Sequence, residues 1–502
     1  MKRIFYYLIF LRSVVLQGQE IYLQVTDSIT KDPIPFTTIL TNFNYNTISN
    51  EEGFFRVSKS TNFSNKDSLF ISCMGFNEYR AAIVELKQPV IELTEKTIKL
   101  NSIILTSQNL DAYEIIKKVK EKIDDKYLTG YSKKRYFMRE SFFQKWDKMK
   151  MEIEKSSISE LNRKFWDSIF KSIPKKDSWH TESLGQIYGD WSKENQKLEI
   201  IRAVDLADTV NEKGYEQIEK KIAEILNKRT KENSYFKFKS GIFSTKVDRE
   251  ELIEESVDSI KNDSTIIKKQ LEKKNIENEN FYKNRKSRIS RIYDGIYKKG
   301  LKFEFLKKSY LYDFKIISYS YEGETPVYKI KFKPKSSKGK YGGYIWVDSE
   351  NFSIIKIEQR NNKVLRDFSL FGISFELYYH SATFVFSHFS TKKYQLQFLE
   401  SEFKFKSGIN RPIKIVEKNK YVRGRRKQNE LLARINFNLD QSSKTTLIVF
   451  DDIPINEEEY NKLAEQKGFK QDKLDSYDPN YWKDYSVIEP NQAIKSFKVN
   501  SN

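Results

Sequence analysis

The sequence predicts an α+β protein: a small N-terminal β-sandwich, a helical middle and a C-terminal antiparallel β-sheet domain. Three observations carry that prediction. Apolar residues alternate at period two from Ile21 to about Leu105. From about 145 to 300 they recur at helical spacing amid dense Lys and Glu. From Tyr310 to Phe450 the alternation returns. A chain of 502 residues has length for roughly three domains. The expected divisions are 1–18, 20–105, 106–300, 301–450 and 451–502.

"MKRIFYYLIFLRSVVLQGQ" places Lys2 and Arg3 before an apolar stretch, Ile4 to Leu11, with small or polar residues near Gly18. That is the layout of a secretory signal peptide over residues 1–18, with Ser13, Leu16 and Gly18 flanking the cut. Arg12 interrupts the apolar stretch, so a buried strand or a retained anchor is the competing reading. No cysteine stands there to carry a lipid, so export without a lipid anchor is expected.

"IYLQVTD" alternates Tyr22, Gln24 and Thr26 against Ile21, Leu23 and Val25, a half-buried strand. Pro33 and Pro35 stiffen the connection to a second strand. "NTISNEEGFFRV" reads as strand, tight turn, strand, with Asn50 and Gly53 tolerating the turn conformations. "DSLFISCMGF", "YRAAIVEL" and "KTIKLNSIIL" complete a set of about seven strands, the spacing of a small antiparallel sandwich. In order along this stretch stand Val25 and Asp27, Thr30 with Pro33-Ile34-Pro35-Phe36, and Thr47, Ser49, Asn50, Glu51, Gly53 and Phe55. Asp67 with Leu69, then Ser72 with Gly75-Phe76, follow. This series resembles the carboxypeptidase-regulatory-like (transthyretin-like) domain of Bacteroidota envelope proteins, over residues 20–105. Phe76 stands where that domain more usually has Tyr. The resemblance implies an accessory sandwich in a periplasmic or outer-membrane protein, and not the peptidase itself.

"DAYEIIKKVKEKIDDKY" predicts a helix capped by Asp111, with Ile115, Ile116, Val119 and Ile123 on one face. "KRYFMRESFF" is strand-like. "YEQIEKKIAEILNKRTKEN" puts Ile218, Ile222, Ile225 and Leu226 in a stripe that reads as an internal packing seam, with a partner-binding face as the alternative. "KKQLEKKNIENENFYKNRK" is polar enough for a solvated helix or a flexible stretch. Further on, "TPVYKIKFKP", "KKYQLQFL", "EFKFKSG", "RPIKIVEK" and "LLARINFNL" alternate as separate strands. In "YIWVDSENFSIIKIE", Asp348 to Asn351 make a turn between two more. The pattern is similar to curved lipoprotein-carrier-like sheets. A transmembrane barrel is the rival, disfavoured by too few strands and no sustained aliphatic band. Beyond 451 the expectation is one capped helix in "INEEEYNKLAEQKGF" and then loosely ordered sequence.

The chain carries 89 Lys and Arg against 69 Asp and Glu, net +20, spread along its length as on a solvated surface. "KYVRGRRKQ" reads as a hairpin tip at Gly424 first and an anion site second. One cysteine, Cys73, excludes an internal disulfide and reads as a buried hydrophobe. His180, His380 and His388 lack zinc-site spacing; on one strand the last two stand about 26 Å apart at ~3.3 Å per residue. "GISFE" lacks the second glycine of a hydrolase elbow, and "SSKGKYGGYIW" lacks a phosphate-loop ending. Glu51 and Glu52, Asp451 and Asp452, and Glu457 to Glu459 read as solvated acids. "FKFKSGIF" and "EFKFKSGIN" resemble single-strand-binding surfaces in composition, although alternating strands account for them equally.

No catalytic residue, cofactor or metal ligand is expected, and no nucleic acid partner. The expected role is a non-catalytic interaction or scaffolding component of the envelope, with a protein or glycan partner. The alternative is a carrier or chaperone holding a lipid or apolar peptide in the C-terminal sheet. An unfamiliar hydrolase is the third reading.

Overall fold

The computed structural model describes residues 21–497 except 42–45, 58–66, 87, 97–109, 128–129, 191–193, 208, 251, 253–263, 298–300, 302, 389–392, 425, 484 and 486. The expected signal peptide and all but the start of "KTIKLNSIIL" lie outside the described residues. The chain divides into two compact units. One takes the residues up to 105 with 318–327 and 478–496; the other takes 106–317, 328–477 and those from 497 on.

The first unit holds β1 (Ile21–Asp27), β2 (Thr38–Thr41), β3 (Asn46–Ile48), β4 (Phe54–Val57), β5 (Ser68–Ser72), β6 (Tyr79–Ala82) and β7 (Val90–Leu93). They form one sheet of order β4-β1-β7 and another of order β3-β2-β5-β6. Period-two alternation sends Leu23, Val25, Phe55 and Ile91 from the first sheet, and Ile39, Leu69 and Ile71 from the second, into a shared core. Cys73 packs against its margin. The pairs are antiparallel as expected, except that β1 and β7 run parallel.

Residues 49–53 connect β3 in one sheet to β4 in the other, so the turn is a corner between sheets. Asn50 is buried there, its Oδ1 accepting the amides of Glu52 at 3.0 Å and Phe54 at 2.8 Å. Gly53 has φ +75, and a Cβ added to it would stand 2.4 Å from the Val25 carbonyl oxygen. Backbone handedness and close approach both require glycine here. The loose tail expected beyond 451 is corrected by residues 478–496, which belong to this unit. Trp482, Ile488 and Ile494 are buried, Asn50 Nδ2 donates to the Pro490 carbonyl at 3.2 Å, and Arg56 Nε meets Glu489 Oε1 at 2.8 Å.

Beyond residue 105 the chain runs α1 (Ala112–Lys126), β8 (Ser132–Ser156), α2 (Arg163–Ser172), β9 (Lys176–Gly189), β10 (Gln196–Leu206), α3 (Thr209–Arg229), β11 (Ser234–Ser240) and β12 (Phe243–Asp248). Next come α4 (Ser264–Tyr297), α5 (Glu304–Lys307), β13 (Tyr312–Glu322), β14 (Thr325–Pro334), β15 (Tyr341–Asp348), β16 (Ile354–Asn361), β17 (Arg366–Leu370) and β18 (Ile373–His388). β19 (Tyr394–Asn419), β20 (Lys427–Pro454), α6 (Glu457–Lys462), β21 (Asp472–Leu474) and α7 (Gln492–Lys495) follow. β8 to β21 form one 14-stranded sheet of path β13-β14-β15-β16-β18-β19-β20-β8-β9-β10-β21, with β11 and β12 beside β19 and β17 beside β18.

The expected helical region 106–300 is therefore corrected: β8 to β12 lie within it, and the fold is rich in strand. The reason is visible in β8, where "KWDKMKMEIEK" carries Lys and Glu as densely as a solvated helix. Past Lys145 the exposed Lys148, Lys150, Glu152 and Glu154 alternate with Met149, Met151 and Ile153, and Met151 and Ile153 pack against Trp166 and Phe170 of α2, so the charge stands on one face of a half-covered strand. α1 and α3 form where the periodicity predicts. Asp111 caps α1 in a reciprocal capping box with Glu114, and Ile115, Ile116, Val119 and Ile123 are buried. The long polar stretch is helix α4, with Tyr282, Ile289, Tyr293 and Ile296 buried along one stripe.

The separate short strands expected after 390 merge into β19 and β20. Pro412 does not break β19, because the edge it faces there is unpaired: β18 stops at Ile409 and β11 begins at Lys414. Asp348 makes the expected turn, its Oδ1 accepting the amides of Glu350 and Asn351 at 2.8 and 3.0 Å. "KYVRGRRKQ" is the hairpin between β19 and β20, with Gly424 at φ +96. Among the described residues no helix is long and apolar enough to cross a membrane.

Candidate functional site

One face of β15, β16, β18, β19 and β20 forms the floor of a cavity of about 530 Å³, with α4 and α5 above it. Registry places the floor. His380 stands opposite Phe403, Phe384 opposite Leu399, and Ser401 opposite Thr445, so alternate residues on neighbouring strands share that face. Phe303, Phe384, Leu399 and Phe403 supply apolar surface, and Ile292 and Ile296 supply it from α4. Gly295 also lines the cavity, and a Cβ added to it would meet nothing within 4 Å.

His380 lies at the centre of the polar part. Its ring stacks on Phe403 at 4.0 Å between centroids. Nδ1 is 2.9 Å from the Tyr341 hydroxyl and Nε2 is 3.2 Å from Ser401 Oγ. Its amide donates to Asn361 Oδ1 at 2.7 Å. Burial pushes the imidazole down to about 4, so it is neutral at neutral pH, and burial pushes the Tyr341 phenol up to about 12, with Glu304 adding to the shift. A neutral imidazole has one donor and one acceptor nitrogen. The Tyr341–His380–Ser401 chain is therefore directional: whichever tautomer is present, one terminal hydroxyl keeps its proton for another acceptor. A phenol holds the position where a catalytic histidine has a carboxylate, and a phenol at about 12 does not stabilise an imidazolium.

The mouth is cationic. Lys307, Lys308, Lys340 and Arg291 are exposed at it. Arg288 also lines it, donating to Thr445 Oγ1 at 3.0 Å while its Nε pairs with Glu140 at 2.9 Å. Glu304 is the carboxylate among the lining residues, and it accepts from the Tyr312 hydroxyl at 2.8 Å and the Lys340 amide at 3.0 Å. The arrangement suits a molecule with an apolar body, an oxygen acceptor and a negative end.

The other residues singled out in the sequence do not line this cavity. His180 is buried with Nδ1 at 2.8 Å from Ser141 Oγ, and burial, with Arg139 nearby, pushes it down to about 4. His388 lies on the same strand as His380 and packs against Tyr394. Glu52 Oε1 accepts the Gln492 amide, Asp451 Oδ1 accepts the Arg135 amide, and Glu459 closes the capping box of α6. Asp452 faces Lys134 at 4.0 Å, both buried; desolvation raises the carboxyl and lowers the ammonium. Ile222 and Leu226 line an apolar cavity of about 210 Å³ with Trp166, Phe236 and Ile415, as a packing seam would. Gly372 of "GISFE" is at a hairpin tip. Among the described residues no group of three His, Cys, Asp or Glu is placed to hold a metal ion. Sequence reasoning missed Tyr341, Ser401 and Gly295, because strand registry and a crossing helix assemble them from distant positions. No family model matches the chain, and no curated protein resembles it.

Proposed function

We propose that this chain is a non-catalytic, exported component of the cell envelope that binds an anionic amphiphile in the cavity beneath α4. One observation carries the reading: apolar floor, hydroxyl chain and cationic mouth occur together on one face of the sheet. This favours the carrier over a scaffold that acts through its surfaces alone. The low proton affinity of His380 supports binding over general-base chemistry at neutral pH. The envelope setting rests on the basic-then-apolar N-terminus and on the likeness of residues 20–105 to the carboxypeptidase-regulatory-like domain. The two sheets around one core and the Gly53 corner support reading that stretch as a transthyretin-like accessory module, the part that engages an envelope protein or glycan.

The test is Gly295→Phe. A Cβ at this exposed, cavity-lining position meets nothing within 4 Å, so a large side chain can be introduced there to obstruct the cavity, and loss of a helical glycine favours α4 by roughly 0.5 kcal/mol. Titration of the full chain with the anionic fluorophore anilinonaphthalene sulfonate should show saturable binding, displaced by a long-chain fatty acid and abolished in Gly295→Phe. Binding that survives in the folded variant refutes the site.

A further inference from the structure

A second cavity, of about 380 Å³, adjoins the first beneath α4, and Arg288 and Arg291 line both. Registry carries the same face of the sheet across to it. Thr445 on β20 stands opposite Glu140 on β8, and Glu140 stands opposite Thr181 on β9. Ser443 lies two residues before Thr445 and so shares its face. Glu140, Thr181 and Ser443 line the new cavity from the sheet, and Arg285, Arg288 and Arg291 line it from α4. Three residues apart on a helix, each arginine is a neighbour of the next.

Glu140 fixes two of the three guanidiniums. Its Oε2 accepts from Arg285 Nη1 at 2.7 Å, and its Oε1 pairs with Arg288 Nε at 2.9 Å. Arg285 is 4% exposed, yet Glu140 is its one hydrogen-bond acceptor among the described residues, and its Nε is buried without a partner. A buried guanidinium with donors left over is costly, and an acceptor supplied by a ligand offsets that cost. Arg291 is exposed and spends its Nε on the Ser287 carbonyl at 3.2 Å. Three guanidiniums against the one carboxylate in the lining leave two positive charges. Asp205, one strand further, takes the Thr181 hydroxyl at 3.4 Å and does not line the cavity. A carboxylate head would match one of those charges. A phosphate monoester carries about −1.5 to −2 near neutral pH, with three acceptor oxygens suited to forked donors.

We propose that the amphiphile is a phosphate monoester, with its phosphoryl head in this second cavity and its chain in the first. The inference rests on the carrier reading and narrows it to one class of head. The arginines, aligned by Glu140, grip the phosphoryl oxygens, while the exposed lysines of the mouth attract the ligand without fixing its orientation.

Displacement of anilinonaphthalene sulfonate from the full chain by decyl phosphate and by decanoate tests it. In the parent, decyl phosphate should displace the fluorophore at a concentration at least ~10-fold below that of decanoate. Arg285→Lys keeps a cation for Glu140 but loses the fork, and Arg291→Gln alters an exposed position. Each should bring the two concentrations within about threefold of one another, chiefly by weakening decyl phosphate. Arg291→Gln alone decides the matter if Arg285→Lys does not fold. Equal displacement by the two compounds in the parent, or an advantage for phosphate that a folded variant keeps in full, overturns the proposal and leaves the carrier reading standing. A fluorophore that fails to bind, or that binds Gly295→Phe as it binds the parent, overturns both.

Discussion

Both imidazole nitrogens of His380 are engaged, and its ring is stacked and buried, so protonation has a cost. The folded group sits at about 4 against an ordinary 6.5. Between those values the unfolded chain takes up a proton that the folded chain does not. Stability therefore falls as pH drops from about 6.5 towards 4, by up to ~1.4 kcal/mol per pH unit for one histidine, and then levels off. His180 is held at about 4 as well and contributes a similar slope. In His380→Gln the difference between urea midpoints at pH 7 and pH 5 should shrink to about half the parent's. An unchanged difference would show that His380 is not shielded. The sequence revealed part of this: eight positions on one strand do separate His380 from His388. Tyr341 and Ser401 lie 39 and 21 residues away, brought in by registry that local alternation leaves open.

At the scale of elements, the start of β20 is fastened by Glu430. Lys414 of β19 approaches it at 2.7 Å and Lys155 of β8 at 3.3 Å, with Lys427 beside it. The lysine hydrogen bonds hold this carboxyl down at about 2. A carboxylate depressed in the folded state stabilises above its ordinary range, and that stability is lost as pH falls through about 2. Glu430→Gln should therefore lower the urea midpoint at pH 7 and flatten its decline between pH 5 and pH 3. Parallel declines in parent and variant would refute the fastening. Strand existence was legible from alternation up to 105 and after 310, but not for β9, β10 and β12, which lie in the stretch expected to be helical, and strand extent was not legible. The heptapeptide "FKFKSGI" occurs at 236–242 and at 403–409. In the first place it is paired by β12 and β19 as far as Lys239 and then turns out into a tip with Ile242 in solvent; in the second it stays inside β19 with partners on both sides throughout. Identical residues have different fates because neighbouring strands, supplied from elsewhere, decide what is covered.

At the scale of the whole molecule, the first unit is discontinuous, and its landmarks in 20–105 were legible while its closing segment was not. Nothing local in "NYWKDYSVIEP" announces that Trp482 and Ile488 are buried. Replacing both by alanine removes roughly 3 kcal/mol or more each by the usual cost of truncating buried large side chains. Hydrogen exchange in the double variant should lose protection in β1 to β7 and keep it in β18 to β20. Equal protection in both sets would show that the segment is dispensable.

That discontinuity also sets a clock. Roughly 440 residues of chain separate the Gly53 corner from the Pro490 carbonyl that Asn50 holds. At ~5–20 residues per second of synthesis, the first two sheets stand without their closing segment for about 20–90 s. During that interval the Asn50 amide, the Arg56 guanidinium and the apolar edge of the core are open to other chains. A nascent molecule thus makes this surface long before the segment that covers it, so the first unit is complete only in molecules in which residues 478–496 have also been made.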